Sequence, residues 1–110
     1  MGLFGFGKKK YDKNVSRDNE FLKDYATKCN GLSFYLDGKD NVQKELTMLK
    51  DDFQYTVASI KPEAKKIEKS IKADFEALTA LLQQSEWEET QALMLIRNLR
   101  RYVNEIGSLR

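Results

Sequence analysis

The sequence predicts an all-α protein, folded as an antiparallel four-helix bundle. Hydrophobic residues recur at steps of three or four along most of the chain, which is the spacing that places them on one face of a helix. The 110 residues include a single proline and few β-branched runs, a composition that does not favour a β-sandwich or barrel. The connections between the hydrophobic stripes are short, so consecutive helices are expected to run antiparallel. We predict one domain over residues 14–110 and a flexible tail over 1–13.

The N-terminal segment, MGLFGFGKKK, combines apolar side chains with lysines. Its closely spaced glycines disfavour a stable helix, which is why a solvated tail is the first interpretation. The alternative is contact with a membrane surface, with the apolar side chains in the headgroup region and the lysines near anionic lipid. The candidate membrane contacts are Leu3, Phe4, Phe6, Lys8, Lys9 and Lys10.

The first helix is predicted over 16–37, with Asn14 or Ser16 as its N-cap and a left-handed stop at Gly38. Its apolar positions follow a three-four spacing: Leu22, Tyr25, Cys29, Leu32 and Leu36. Asn30-Gly31 is a turn signal inside this pattern. A competing interpretation ends the helix at Asn30 and makes 32–36 a strand. Such a strand would lack a partner, so we favour the helix.

The second and third helices are predicted over 40–58 and 62–83, on either side of Pro62. Asp40 or Asn41 would cap the second, and proline suits the first position of the third. One uninterrupted stripe runs through both: Val42, Leu46, Leu49, Phe53, Val57, Ile60, Ala64, Ile67, Ile71, Phe75, Leu78 and Leu82. Its continuous phase leaves an alternative open, a single long helix kinked at Pro62. That would give a three-helix arrangement completed by a second subunit.

The fourth helix is predicted over 86–106, opened by a capping box between Ser85 and Glu88 and ended by Gly107. Its core positions are Ala92, Ile96, Leu99, Val103 and Ile106. Leu93, Met94 and Leu95 widen the apolar arc to nearly the whole circumference. A helix of this kind is either central to its bundle or covered by another subunit. The candidate protein contacts are Trp87, Leu93, Met94 and Arg97.

The residues that carry most enzyme chemistry are scarce. The chain has no histidine and one cysteine, so it lacks the commonest general base and any internal disulfide or thiolate zinc site. Cys29 falls on an apolar stripe and is interpreted as a core residue. We therefore expect no cofactor, no metal and no enzymatic activity. The single cysteine and the absence of a long apolar segment favour a cytoplasmic protein.

Three functions remain as hypotheses, in order of preference. The first is a non-enzymatic protein-interaction or scaffold module, which would bind an unidentified protein or form a homodimer. The second is membrane-surface association through the N-terminal tail. The third and least favoured is weak nucleic-acid binding, because acidic residues interrupt the basic clusters and the pI is only about 8.6. The basic residues concerned are Lys65, Lys66, Lys69, Arg97, Arg100 and Arg101.

Overall fold

The computed structural model describes residues 20–109, which form four α-helices packed against each other. The described part of helix α1 covers 20–32 and is followed by a 3₁₀ turn at Ser33–Tyr35. Helices α2, α3 and α4 cover Asp40–Tyr55, Pro62–Leu82 and Glu89–Ser108. No β-strand occurs in this part of the chain. The predicted all-α four-helix bundle is confirmed, and the alternative strand over 32–36 is wrong because the helix continues through Gly31.

The break at Pro62 is also confirmed. Residues 56–61 form a non-helical linker in which Thr56 and Lys61 both have extended backbone (ψ 135° and 147°). Pro62 is the first residue of α3, where its missing N–H costs no helical hydrogen bond. The alternative of one long kinked helix is therefore wrong. Helix α2 ends at Tyr55, short of the predicted 58, because Ala58 and Ser59 are buried in the linker.

The side-chain caps predicted for the N-termini of α2 and α4 are absent. Helix α2 is preceded by Lys39 with no side-chain cap, so neither Asp40 nor Asn41 caps it. Helix α4 begins at Glu89 without a side-chain cap, and the predicted capping box is wrong. The connection before it is held instead by Trp87, which packs against the core.

The two glycines predicted to end helices behave differently. Gly38 has a φ of +80° and provides the left-handed turn that was predicted after α1. Gly107 lies inside α4, which continues to Ser108, so it does not end the helix. A Cβ at Gly107 would lie 3.3 Å from Cγ2 of Thr56, and the close approach of α4 to the linker accounts for this glycine.

The helices alternate in direction along the chain. Helix α4 packs against both α2 and α3, whereas α2 and α3 approach each other at few points. Contacts between α2 and α4 advance in the same direction along both helices, from Glu45 with Arg97 to Thr56 beside Gly107. These two helices are therefore parallel neighbours. Around the bundle the order is α1, α2, α4, α3, and the linker crosses the end of the bundle diagonally.

An aromatic cluster lies where α1, α2 and α3 meet. The ring of Tyr25 is 5.6 Å from that of Phe53 and 5.0 Å from that of Phe75, and the two phenylalanine rings are 6.4 Å apart. Phe21 adds a fourth ring, 4.9 Å from Tyr25. The rest of the core continues this cluster toward α4 through Leu22, Leu36, Leu49, Ile71, Leu78, Ile96, Leu99 and Val103.

Candidate functional site

The four predicted protein contacts differ in their exposure to solvent. Met94 is 57% exposed and Arg97 is also exposed, on the outer side of α4. Leu93 is partly buried and packs against the core, as does Leu95. Trp87 is partly buried in the α3–α4 connection, where Nζ of Lys39 lies 5.4 Å from the centre of its ring. The broad apolar arc of the last helix is thus largely satisfied within the chain, with Met94 as its exposed remainder.

A groove separates α1 from α3 and encloses about 610 Å³. Tyr25 and Phe75 of the aromatic cluster line it, and Tyr35 of the 3₁₀ turn lines one end of it. Its other lining residues are Lys28, Gly31, Leu32, Lys72, Glu76, Thr79, Ala80 and Gln83. The groove therefore offers aromatic and aliphatic surface with a few charged side chains, a composition typical of a binding groove.

A second groove lies on the other side of α3, between α3 and α4, and encloses about 340 Å³. Its lining is mostly apolar and includes the exposed Met94: Ala77, Ala80, Leu81, Gln84, Gln91, Met94 and Leu95. Ala80 lines both grooves, so the two are adjacent to each other on the surface of α3. We call this combined surface, formed by both grooves along the C-terminal half of α3, the α3 flank.

The 3₁₀ turn adds exposed aromatic side chains at the same end of the molecule. Phe34 is 85% exposed, the largest exposure among the large hydrophobic residues of the described chain, and Tyr35 is 42% exposed. Ser33 holds the turn, since its Oγ donates a hydrogen bond of 2.7 Å to the carbonyl oxygen of Asn30. The α3 flank thus has an aromatic border beside the α1–α2 connection.

Sequence reasoning did not identify the α3 flank. Its signal is a change along the exposed side of α3, which carries lysines in its first half and the small residues Ala77 and Ala80 in its second. Small side chains on an exposed helix face leave room for an approaching chain. Without the neighbouring helices, however, the alanines show no groove, and Tyr35 comes from a turn predicted to be helix.

Two buried ionisable groups of α1, Cys29 and Tyr25, have raised pKa values. Burial raises the pKa of the Cys29 thiol to about 12, which keeps it protonated and a poor nucleophile at neutral pH. The pKa of Tyr25 is raised, chiefly by burial and further by the carboxylates of Glu76 and Asp24. Among residues 20–109 there is no group of three or more His, Cys, Asp or Glu side chains that could hold a metal ion.

The basic residues considered for nucleic-acid binding are largely engaged with carboxylates. Arg100 Nε lies 2.7 Å from Oδ2 of Asp52, and Arg97 Nε lies 4.0 Å from Oε1 of Glu45. Two further ion pairs each lie within a single helix. In α3, Lys65 pairs with Glu68 at 3.8 Å, and in α4, Arg101 pairs with Glu105 at 3.9 Å. This pairing reduces the positive potential that a phosphate backbone would encounter.

The candidate membrane contacts in 3–10 lie outside the described residues. In the described part of the chain, none of the helices combines the length and the apolar composition needed to cross a bilayer. Comparison with protein-family models, with curated proteins and with solved structures gave no match for this chain.

Proposed function

We propose that the protein is a non-enzymatic interaction module whose α3 flank binds a helical segment of a partner protein. The observation that carries the proposal is that two grooves adjoin at the exposed Ala80, with Tyr35 lining one and Met94 lining the other. Exposed apolar surface of this kind, with polar residues around it, is typical of protein-binding sites.

The shape of the surface favours a helix as the bound segment. Both grooves follow the axes of the helices that form them, and an amphipathic helix can place its apolar side chains into such a groove. Tyr35 and Met94 supply the large adaptable side chains that are common at interfaces. Lys28, Lys72 and Glu76 at the α1–α3 groove provide a polar rim.

The non-enzymatic character is supported by the chemistry of the chain. It contains no histidine, and its one thiol is buried with a pKa raised to about 12. A reduced, buried Cys29 also fits the cytoplasm, which we propose as the location.

The proposal is tested by placing a long charged side chain in the centre of the α3 flank. Ala80→Arg would obstruct both grooves without altering the core, since Ala80 is exposed. Ala73→Arg is the matched control, because Ala73 is exposed on the same helix and lines neither groove. Both variants should keep the helical circular dichroism and unfolding temperature of the parent.

The readout is quantitative capture of partner proteins from the cells that produce the chain. We expect Ala80→Arg to lose partners that the parent and Ala73→Arg retain in equal amounts. Equal retention by all three proteins would refute the α3 flank as the binding surface. Light scattering behind a sizing column examines self-association: a parent dimer converted to a monomer by Ala80→Arg alone would identify a second copy of the chain as the partner.

A further inference from the structure

Helices α1 and α3, which form the larger groove of the α3 flank, run in the same direction. Near the start of the groove the ring of Tyr25 lies 5.0 Å from that of Phe75. Beyond the other end the connections that follow the two helices adjoin, since Nζ of Lys39 lies 5.4 Å from the centre of the Trp87 ring. The α1–α3 groove therefore has a Tyr25 end and, where the 3₁₀ turn lines it, a Tyr35 end.

The length of the groove matches a short helix. On α3 the lining begins at Lys72 and ends at Gln83. These two positions are about 16 Å apart along the helix axis, or roughly three turns, at 1.5 Å per residue. Gly31 and Ala80 line the half nearer to Tyr35, and a Cβ added at Gly31 would have nothing within 4 Å. The backbone of a bound helix can therefore come close to α1 and α3 in this half of the groove.

The Tyr25 end of the groove carries charges of both signs. Its charged lining residues are Lys28, Lys72 and Glu76. Nζ of Lys28 lies 4.5 Å from the centre of the Tyr25 ring, so this ammonium group is already engaged within the chain. Because the two cations are accompanied by a carboxylate, this end of the groove discriminates only weakly between an acidic and a basic ligand.

The Tyr35 end opens toward a strongly acidic part of the molecule. The two chain segments that meet there, 33–41 and 83–91, contain five acidic residues and one lysine, a formal net charge of −4. The acidic residues are all exposed: Asp37, Asp40, Glu86, Glu88 and Glu89. The single cation, Lys39, lies over the Trp87 ring. The potential at this end of the groove is therefore negative, and a basic ligand is attracted to it.

Two of these carboxylates lie beside the groove itself. Asp37 follows Tyr35 by two residues. Glu86 follows Gln83, the last lining residue of α3, by three. Since a chain extends at most about 3.6 Å per residue, the Cα atoms of Asp37 and Glu86 lie within roughly 7 and 11 Å of those lining residues. The rings of Tyr35 and the 85% exposed Phe34 add aromatic faces on which an arginine or lysine can stack.

We infer that the segment bound by the α3 flank is a cationic amphipathic helix of about three turns. Its apolar side chains occupy the α1–α3 groove, and its lysines or arginines lie at the Tyr35 end, near Asp37 and Glu86. An acidic helix would be repelled from this end by the net charge of −4. The inference rests on the proposed function, because it names the chemistry of the segment that the α3 flank binds.

The experiment begins with a phage-displayed library of random peptides of about 15 residues, long enough for a helix that spans the groove. The full chain is the bait. Peptides are kept if they also bind Ala73→Arg and discarded if they bind Ala80→Arg, so the added charge is the same in both variants. We expect the retained peptides to carry apolar residues at a three-four spacing, with lysine or arginine concentrated at one end.

The affinity of the strongest retained peptide is then measured by fluorescence anisotropy for two double variants. Asp37→Asn/Glu86→Gln removes two carboxylates beside the groove, and Asp51→Asn/Glu63→Gln removes two from exposed positions that line neither groove. The two proteins have the same net charge. We expect about fivefold weaker binding by the first variant and unchanged binding by the second, because the attraction between charges falls with distance and is screened by salt.

The outcomes separate the chemistry of the ligand from the location of the binding surface. Basic peptides whose binding is weakened only by Asp37→Asn/Glu86→Gln support the inference. Retained peptides without a basic end, or equal affinity for the two double variants, overturn the inference and leave the α3 flank as a binding surface. If no peptide distinguishes the parent from Ala80→Arg, the proposed function fails and the inference fails with it. An unaltered thermal unfolding curve shows that each variant has remained folded.

Discussion

Substituting Arg100 tests the parallel packing of α4 on α2, the feature of the bundle that chain order does not dictate. The guanidinium Nε of Arg100 donates a hydrogen bond of 2.7 Å to Oδ2 of Asp52. Its Nη1 lies 3.8 Å from Oε1 of Glu45 and 3.4 Å from the sulfur of Met48. The side chain of Arg100 thus contacts three residues on one face of α2: Glu45, Met48 and Asp52. These contacts form together only when α4 and α2 keep their register.

The coupling free energy expected between Arg100 and Asp52 follows from the short hydrogen bond and from the partial burial of the pair. A hydrogen bond to a charged group contributes about 1.5–3 kcal/mol, and a fully exposed ion pair contributes about 0.2–1 kcal/mol. The side chains of Arg100 and Asp52 are 32% and 20% exposed, so this pair falls between the two classes. We expect a coupling free energy of about 1–2 kcal/mol between them. A loss of about 1 kcal/mol would lower the unfolding temperature by roughly 4–8 °C in a domain of this size.

The assay is a double-mutant cycle with Arg100→Gln and Asp52→Asn, measured by urea denaturation. Arg101 and Glu105 provide the matched control on the same helix. They lie 3.9 Å apart at an i,i+4 spacing and are 64% and 52% exposed, so their coupling should not exceed about 0.5 kcal/mol. A coupling between Arg100 and Asp52 no larger than that of the control would refute the reasoning.

Two further predictions concern Cys29 and two glycines. Burial raises the pKa of Cys29 from 9.0 to about 12, so between those values the unfolded thiol ionises while the folded one stays protonated. Stability should then fall by about 1.4 kcal/mol per pH unit across this interval, and a Cys29→Ala variant that keeps the same slope would contradict this. Gly31→Ala should stabilise the protein by about 0.5–1 kcal/mol, because it lies in α1 with nothing within 4 Å of an added Cβ. Gly38→Ala should destabilise it by about 1–2 kcal/mol, since a φ of +80° strains an L side chain. Urea denaturation measures the free energy of unfolding of both glycine variants. Changes of the same sign in Gly31→Ala and Gly38→Ala would contradict the different backbone roles given to these two glycines.

The helices could be predicted from the sequence because their periodicity and their breaks are local signals. The three-four spacing determines which residues face the core, and Pro62 can begin a helix far more easily than it can interrupt one. The exact ends of the helices were less predictable from the sequence. Ser85 and Glu88 have the spacing of a capping box, but the packing of Trp87 and the connection around it competes with that local pattern.

The arrangement of the helices, and with it the α3 flank, required the structure. The order α1, α2, α4, α3 depends on contacts between distant residues, such as Arg100 with Asp52, that no local pattern encodes. The α3 flank combines Tyr35, Ala80 and Met94 from three separate elements. Met94 alone was anticipated from the sequence, because it widens the apolar arc of its own helix.

Photo-crosslinking within living cells tests the central claim most directly. A photoreactive phenylalanine analogue replaces Ala80 in one variant and Ala73 in another, at two exposed positions of α3. We predict a discrete crosslinked product from position 80 and none from position 73, because only Ala80 lies in the α3 flank. No product at position 80, or the same products at both positions, would contradict the claim that this surface binds a partner protein.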